Sequence, residues 1–244
     1  MHISDDIQLG PVNTGSINSA GSSPMELGVG PMGRVYIFDV VPLTLQVAGL
    51  ASGTQNPGIG GSFALSAGTG VTASPQNDGS VRYVLDTPRS VTIAATGANT
   101  ATYRVTGYDV YGQLMSQNLA APSTSTVSTT KMFKSVVSVT NINATAGTNN
   151  LTVGYGDAIG LPYRITSRDY VVGSNFNATA VALSAYTVAD LTSPATVSTA
   201  DVRGYVALPS AADGVKRLVV AIALPAIACG PNATRIGAVG VTQF

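Results

Sequence analysis

The chain has 244 residues, enough for one large β domain or two modest ones with a real core. Apolar residues make up 45% of it, which is near the globular average and argues against disorder. Only 10% of the residues are charged, against about a quarter in a typical domain, and the 12 basic and 12 acidic residues cancel. A surface with so weak a field neither attracts nucleic acid nor binds an anionic membrane, and it favours association over solubility.

The kinds of charged residue also indicate a fold class. Eleven of the twelve acidic residues are Asp, Glu26 is the single Glu, and there are only three Lys. Glu and Lys are the residues that cover exposed helices. Their scarcity beside abundant Val, Thr, Ser, Gly and Asn predicts strands and turns.

Residues 1–33 hold many Gly, Ser, Pro and Asn and show little periodicity, which predicts an extended arm or irregular loop. Within them, Gly28-Val29-Gly30-Pro31-Met32-Gly33 has the spacing of a dinucleotide-binding loop. Pro31 interrupts that motif, and a strand rather than a helix follows it, so we expect no nucleotide there. Arms of this kind often lie across a neighbouring subunit, and that is our hypothesis for residues 1–33.

From Arg34 onward, short β-branched and aromatic segments alternate with Gly, Pro, Asn and Asp. The predicted strands are 35–41, 62–66, 81–85, 91–95, 101–108, 113–119, 133–141, 151–155, 163–166, 171–172, 179–183, 202–208, 217–224 and 235–242. This pattern predicts an all-β protein, an antiparallel β-sandwich or barrel-like fold. A boundary near residues 162–169 would give two β domains, 34–165 and 166–244, and one larger sandwich is the alternative.

The sequence clearly indicates one β-hairpin. Tyr103, Val105 and Gly107 alternate with polar neighbours, and the chain then reaches Asp109-Val110-Tyr111-Gly112. Asp at the first position and Gly at the last are the preferences of a type I turn. We therefore predict two antiparallel strands on either side of this turn.

Residues for catalysis are scarce. The single histidine, His2, lies at the chain start, so a nucleophile with a histidine base has no support. Glu26 lies in the irregular segment, and no Asp stands in a recognisable acid–base setting. Cys229 is the only cysteine, and we expect it to be a buried apolar residue. The sequence predicts no catalytic, cofactor-binding or metal-binding residues, and hence a protein that is not an enzyme.

Two further motif matches have the wrong surroundings. Gly68-Thr69-Gly70-Val71-Thr72-Ala73 resembles a nucleotide loop, but Pro and Gly residues after it exclude a helix. Ser128-Thr129-Thr130-Lys131 has the spacing of a serine acylase motif, which requires a helical turn. That segment is β-branched throughout, so we predict a strand.

The arginines are scattered rather than clustered, which argues against a nucleic-acid interface. We predict that several of them form ion pairs with nearby carboxylates such as Asp86, Asp169 and Asp201. The arginines concerned are Arg82, Arg89, Arg104, Arg164, Arg168, Arg203, Arg217 and Arg235.

The stretch 89–165 carries three strings that have a family likeness: TGYDVYG at 106–112, FKSV at 133–136 and VGYGDAIGLP at 153–162. In these strings it resembles virion structural proteins of tailed bacteriophages, with residues 201–217 similar more loosely. The resemblance implies a β-rich protein without catalytic residues, located in the virion and assembled in the host cytoplasm. It carries over no functional residue to this chain.

From the resemblance and the composition together, we expect a capsid decoration (cement) protein. Its partners would be the major capsid protein and other virion proteins, and it would form a dimer or trimer, with no nucleic acid or membrane partner. A tail, neck or fibre-base component of the particle is the first alternative, and a carbohydrate-binding adhesion module is the second. For assembly contacts we expect the arm at 1–33 and the apolar tail Ala238 to Phe244.

Overall fold

The computed structural model describes residues 4–8, 32–120, 125–143, 150–190, 201–225 and 243. Over these residues the chain is nearly all β, and its antiparallel sheets include a curled half-barrel. The predicted all-β, antiparallel, sandwich- or barrel-like class is confirmed. The helical pieces in this part of the chain are two single 3-10 turns, Arg168–Tyr170 and Leu183–Ala185.

The described residues form fourteen strands in two sheets. In chain order they are β1 Ser4–Gln8, β2 Met32–Val40, β3 Gln46–Gln55, β4 Val71–Pro75, β5 Val81–Ala95, β6 Tyr103–Tyr108, β7 Leu114–Leu119, β8 Thr126–Asn141, β9 Leu151–Gly160, β10 Val171–Phe176, β11 Thr179–Ala180, β12 Tyr186–Val188, β13 Gly204–Ala207 and β14 Leu218–Pro225.

The smaller sheet has the order β1-β2-β14-β10-β11. Its centre is the long antiparallel pair of β2 and β14, in which Asp39 faces Val219. Arg217, 178 residues from Asp39 in sequence, donates to the Asp39 carboxylate. On β14, Leu218, Val220 and Ile222 are buried. Because strand side chains alternate between the two faces of a sheet, the face that carries these three residues packs into the core.

The larger sheet has the order β12-β13-β9-β5-β8-β6-β7, with β3 joined to β9 and β4 joined to β5. The sequence predicts two strands at 81–85 and 91–95, but they are the two halves of the single strand β5. The register of β5 with β8 shifts on both sides of Arg89. Such bulges bend a strand and allow it to contain a proline, here Pro88. The first half of β5 pairs with β4 and the second half with β9, so the sheet curls.

Two clusters of buried apolar side chains stabilise the two parts of the fold. The first lies within the curled sheet and includes Ile93, Tyr103, Phe133 and Tyr155. The second joins the smaller sheet to the β9–β13 end of the larger one, and its members are Phe38, Ile159, Leu161, Ile165, Val171, Phe176, Val181, Tyr186, Val206, Leu218, Val220 and Ile222. Complete burial of each large apolar side chain stabilises the fold by about 1.5–3 kcal/mol.

Strand pairing connects the two predicted domains. β2, from the segment 34–165, pairs with β14 from the segment 166–244, and β9 pairs with β13 in the same way. The second hydrophobic cluster likewise contains Phe38 together with residues from 159 onward. A division after residue 165 into separately folding domains stays a prediction.

The predicted hairpin is formed by β6 and β7, with Tyr108 opposite Leu114. Tyr103, Val105 and Gly107 face the interior, as their alternation predicts. In the turn, the Gly112 N–H donates to the Asp109 carbonyl oxygen at 3.2 Å. Gly112 has a φ of +77°, a conformation that glycine adopts without strain.

Some strand predictions are wrong. Residues 163–166 are not a strand, and 62–66 contain only a bridge from Ser62 to Thr140. The strands β3, β4 and β12 were not indicated by periodicity. β3 includes Gly49, where a Cβ would lie 2.9 Å from the Tyr155 ring, so the close approach of the chain rather than an apolar pattern specifies this strand. The predicted strand 235–242 lies outside the described residues.

The arm prediction is corrected in part. Residues 4–8 form β1 and pair with β2, with Ser4 opposite Tyr36 and Gln8 opposite Met32. Residues 4–8 and 32–33 are therefore sheet and not irregular chain, because edge-strand addition needs only free main-chain groups and no apolar pattern. Residues 9–31 lie outside the described residues, so their placement across a neighbour stays a prediction.

Candidate functional site

In the part of the chain that the structure describes, no three His, Cys, Asp or Glu side chains come together to hold a metal ion. Several residues singled out in the sequence lie outside that part: His2, Glu26, residues 28–31 of the glycine motif, Cys229 and Arg235. The predictions about them stay predictions.

The other two motif matches lie where the sequence predicts. Gly70 leads directly into β4, so no helix N-terminus stands there to bind phosphate. Ser128 and Lys131 both belong to β8, and Ser128 is exposed while Lys131 is buried. A strand turns residues three apart to opposite faces, so the two side chains cannot act together.

A buried arginine fixes the connection between β2 and β3. The Arg89 side chain is completely buried and donates through Nη2 to the Leu43 carbonyl oxygen at 2.6 Å and to Asp86 Oδ2 at 2.9 Å. Asp86 Oδ2 also accepts the Leu43 N–H at 2.8 Å. Arg89 Nη1 donates to the Gly156 carbonyl oxygen at 3.2 Å and lies 3.7 Å from Asp157 Oδ1. Both main-chain groups of Leu43 are thus held by one ion pair.

Charges around Arg89 influence each other. Burial raises the pKa of the Asp157 carboxyl, and the negative charge of Asp86 adds to the rise. A hydrogen bond from the Ala212 N–H and the positive charge of Arg89 oppose it. Burial also lowers the pKa of Lys134, whose Nζ donates to the carbonyl oxygens of Leu85 and Asp86. The ionised residues here are largely withdrawn from solvent and serve to hold main chain.

The segment so fixed comprises the connection 41–45 and the first two residues of β3, and we name these residues, 41–47, the strap. Its apolar side chains point partly into solvent, although a typical connection would carry polar ones. A second main-chain bond, from the Gly214 N–H to the Pro42 carbonyl oxygen at 3.1 Å, places the exposed Val215 near the strap. The exposed fractions are Val41 45%, Leu43 37%, Leu45 36%, Val47 51% and Val215 82%. The strap is a partly exposed apolar segment whose main chain is hydrogen-bonded at Leu43 and Pro42.

A second buried charge network joins β8, the β6–β7 turn and the residues before β13. Arg203 donates through Nη2 to Asp109 Oδ2 at 2.6 Å, with both side chains buried. The Asp201 carboxylate accepts the N–H of Met132 through Oδ2 and that of Arg203 through Oδ1, each at 2.9 Å. The network therefore ties together parts of the chain that are far apart in sequence.

The carboxyls of this network respond differently to burial. Burial raises the pKa of Asp201, and the nearby Arg203 charge opposes the rise only in part. Burial acts in the same direction on Asp109, but the Arg203 charge and the hydrogen bonds from Gln243 and Arg203 outweigh it and lower the pKa. Burial lowers the pKa of Lys131 against the charges of Asp201 and Asp190.

Gln243, near the chain end, is held on this network. It forms a parallel bridge with Met115 on β7, and its carbonyl oxygen accepts from the Ser116 N–H at 2.9 Å and from Lys131 Nζ at 2.8 Å. Its side-chain Nε2 donates to Asp109 Oδ2 at 2.9 Å. Gln243 is only 2% exposed, so these hydrogen bonds are buried. Of the apolar tail Ala238 to Phe244, this is the residue that the structure describes.

The arginine prediction is confirmed for Arg89, which pairs with Asp86. Arg203 pairs with Asp109 instead of the Asp201 side chain, which accepts its N–H. The Asp169 carboxylate accepts from the Ser167 hydroxyl. Other arginines hold rings or main chain: Arg82 lies 3.8 Å from the Tyr108 ring centroid, and Arg168 Nε donates to the Tyr186 carbonyl oxygen.

The tyrosines near turns do not form an open platform for a sugar. Tyr155 is buried, and the Tyr108 ring is covered on one side by a guanidinium. Tyr163 packs on Tyr36 with ring centroids 4.2 Å apart. Tyr111 is 61% exposed, but its hydroxyl donates to the Pro162 carbonyl oxygen.

No family model, no curated protein and no solved structure matches this chain. Among the described residues, none of the helices is long and apolar enough to cross a membrane.

Sequence reasoning missed Lys131, Asp109 and Gln243 as members of one network. The local sign of its burial is that Lys131 stands among β-branched residues in a segment that the sequence predicts to be a strand. Nothing in the sequence relates it to Gln243, 112 residues away.

Proposed function

We propose that this chain is a structural protein of a tailed bacteriophage particle, in first place a capsid decoration protein that reinforces contacts between major capsid subunits. The observation that carries the proposal is the strap, an anchored and partly exposed apolar segment on a protein in which only 10% of the residues are charged. The likeness of residues 89–165 to phage virion proteins is its second support. It acts by binding and not by catalysis.

The anchoring of the strap through its main chain favours a binding role. Ordering a loop at an interface costs about 0.5–1.5 kcal/mol for each immobilised side chain, and a segment already fixed avoids part of that cost. Arg89 and Asp86 fix the strap through Leu43 before any partner arrives. Exposed apolar side chains grouped on such a support are typical of interaction surfaces. A standard contact buries on the order of 1,600 Å², more than the strap alone offers, so adjoining surface would take part.

The test is to change the strap and measure incorporation into particles. Val41→Ser combined with Val47→Ser removes two exposed methyl-rich groups without touching the ion pair, and it should lower the number of copies per purified particle at least roughly tenfold. The matched control is Val172→Ser, an equally exposed valine on β10, which should leave the copy number unchanged. Equal incorporation of the double variant and the wild type would refute the strap as the contact surface.

Copy number separates a shell role from a tail or neck role. Hundreds of copies per particle indicate the shell, whereas about six or twelve indicate a symmetric tail or neck ring. Binding that depends little on salt is expected in both cases, because few charges take part. A particle that contains no copy would refute the whole proposal.

A further inference from the structure

The buried Arg89 guanidinium faces two carboxylates. Its Nη2 lies 2.9 Å from Asp86 Oδ2, and its Nη1 lies 3.7 Å from Asp157 Oδ1. The first contact is a hydrogen-bonded ion pair, whereas the second is longer than a hydrogen bond. Among the described residues, Asp86 Oδ1 and Asp157 Oδ1 are both buried without a hydrogen-bond partner. One cation is therefore shared between two incompletely satisfied carboxylates, and these compete for it.

Only the Asp86 side of this competition holds the strap. The Leu43 N–H donates to Asp86 Oδ2, and the Leu43 carbonyl oxygen accepts from Arg89 Nη2. On the other side of the guanidinium, Nη1 donates to the Gly156 carbonyl oxygen, next to Asp157. Attraction of Arg89 toward an ionised Asp157 acts against both bonds at Leu43, and repulsion between the two carboxylates acts on Asp86 in the same sense.

Several parts of the chain place charged or titratable groups near Asp157 or the Arg89–Asp86 pair. These groups are Asp86 and Arg89 on β5, Lys134 on β8, Tyr155 on β9, and Lys216 with its partner Asp213 in the connection between β13 and β14. Burial is the largest influence on Asp157 and raises its pKa, so it takes up a proton at a higher pH than an ordinary aspartate. The Asp157 side chain is 18% exposed, so solvent can supply that proton.

Protonation of Asp157 leaves the neighbouring connection between β13 and β14 in place. The main-chain carbonyl oxygen of Asp157, which does not titrate, accepts the Leu208 N–H at 3.2 Å. The bond from the Gly214 N–H to the Pro42 carbonyl oxygen likewise involves no titrating group. The carboxylate itself accepts one long bond, from the Ala212 N–H to Oδ2 at 3.4 Å. Loss of its charge therefore relieves the competition at Arg89 and removes little else.

We infer that Asp157 is a proton-controlled regulator of the strap: its ionised form draws Arg89 away from Leu43, and its protonated form leaves Arg89 to Leu43 and Asp86. The strap is then anchored more firmly in mildly acidic solution than at neutral pH. A proton can shift such an equilibrium because it binds the two arrangements with different affinity. The inference rests on the proposed function for its consequence, which is that a partner at the strap binds more tightly in mild acid.

Hydrogen exchange at the Leu43 amide measures this regulation in the free, full-length protein. After correction for the intrinsic exchange rate, protection of this amide in the wild type should rise at least roughly threefold between about pH 7 and about pH 4.5. That range lies above about 3.9, where ordinary aspartates titrate. Asp157→Asn has the shape of the protonated carboxyl without its charge. It should protect Leu43 more strongly than the wild type does at neutral pH, and the rise on acidification should disappear.

The matched control is Asp169→Asn, which removes an exposed carboxylate from the turn before β10. It should keep the pH dependence of the wild type at Leu43. Protection in the wild type that stays constant or falls on acidification would overturn the inference. A variant Asp157→Asn with the same pH dependence as the wild type would also overturn it, because another group would then be responsible.

Failure of this inference is distinguishable from failure of the proposed function. The exchange experiment uses the free protein, whereas the proposed function is tested by copy number in particles. A copy number that falls in the Val41→Ser and Val47→Ser double variant, together with exchange at Leu43 that does not depend on pH, would retain the strap as a contact surface and refute its regulation by Asp157.

Discussion

Arg203 and Asp109 lie 94 residues apart in sequence and form a buried ion pair with a distance of 2.6 Å from Nη2 to Oδ2. Asp109 also organises its own turn, since its Oδ1 accepts the N–H groups of Tyr111 and Gln113 at 2.8 Å. One carboxylate thus shapes the β6–β7 hairpin and fastens it to the chain that leads into β13. The hairpin and the second half of the fold are coupled through this pair.

Arg203→Met should destabilise the protein by about 3–5 kcal/mol, the usual effect of leaving one member of a buried pair without its partner. Chemical denaturation gives the free energy of unfolding. Arg217→Met is the control, because Arg217 forms an ion pair with Asp39 but is 63% exposed, and exposed pairs contribute about 0–1 kcal/mol. Equal losses for the two variants would mean that burial does not determine the importance of the Arg203 pair.

The two carboxyls of this network should affect acid stability in opposite directions. The pKa of Asp109 is lowered in the folded protein, so the stability it contributes is present above the unfolded value of about 3.9 and is lost as the pH falls through the folded value. The destabilisation by Asp109→Asn should therefore grow as the pH rises from about 2 to 6.

The pKa of Asp201 is raised, so its ionised form costs stability as the pH rises from about 3.9 through the folded value. The destabilisation by Asp201→Asn should then shrink over the same range. Unfolding curves at several pH values for the wild type and both variants check the two signs. Parallel pH trends for Asp109→Asn and Asp201→Asn would contradict the assignment.

The sequence predicted the fold class because local patterns carry it. Tyr103, Val105 and Gly107 alternate in a strand, and Asp109 with Gly112 specifies the turn, so the hairpin needs no information from elsewhere in the chain. The curl of the larger sheet could not be predicted in this way. It depends on register shifts around Arg89, which arise from pairing between distant strands.

Local sequence patterns could not predict the candidate site either. Arg89 was expected to bind Asp86, three residues away, and does so. Its other role, holding Leu43 and so the strap, joins positions 46 residues apart. Apolar residues alternate along the strap as they would in a strand, and only the structure shows that Val41, Leu43, Leu45 and Val47 are exposed.

Gly154→Ala should destabilise the protein by roughly 1–3 kcal/mol or more, since a Cβ at this position would overlap the main chain of Gln46 on the paired strand β3. β3 approaches β9 closely at this position, and its register with β9 is irregular. Thermal unfolding of Gly154→Ala and of Gly58→Ala, where a Cβ meets no atom within 4 Å, tests the prediction. A melting temperature for Gly154→Ala like that of Gly58→Ala would show that β3 can move away without loss.

Arg89→Met should release the strap and cost about 3–5 kcal/mol of stability, because it leaves the Asp86 and Asp157 carboxylates without their buried cation. The Leu43 amide, which donates to Asp86, reports on the strap directly through its hydrogen-exchange rate, which should rise more than that of the second-cluster strands. The pH supplies an internal check. Burial already raises the pKa of Asp157, so its protonation in acid removes the uncompensated charge there, and the penalty at about pH 3 should be smaller than at neutral pH. A penalty independent of pH, with unchanged exchange at Leu43, would mean that Arg89 fills space in the core and does not hold the strap.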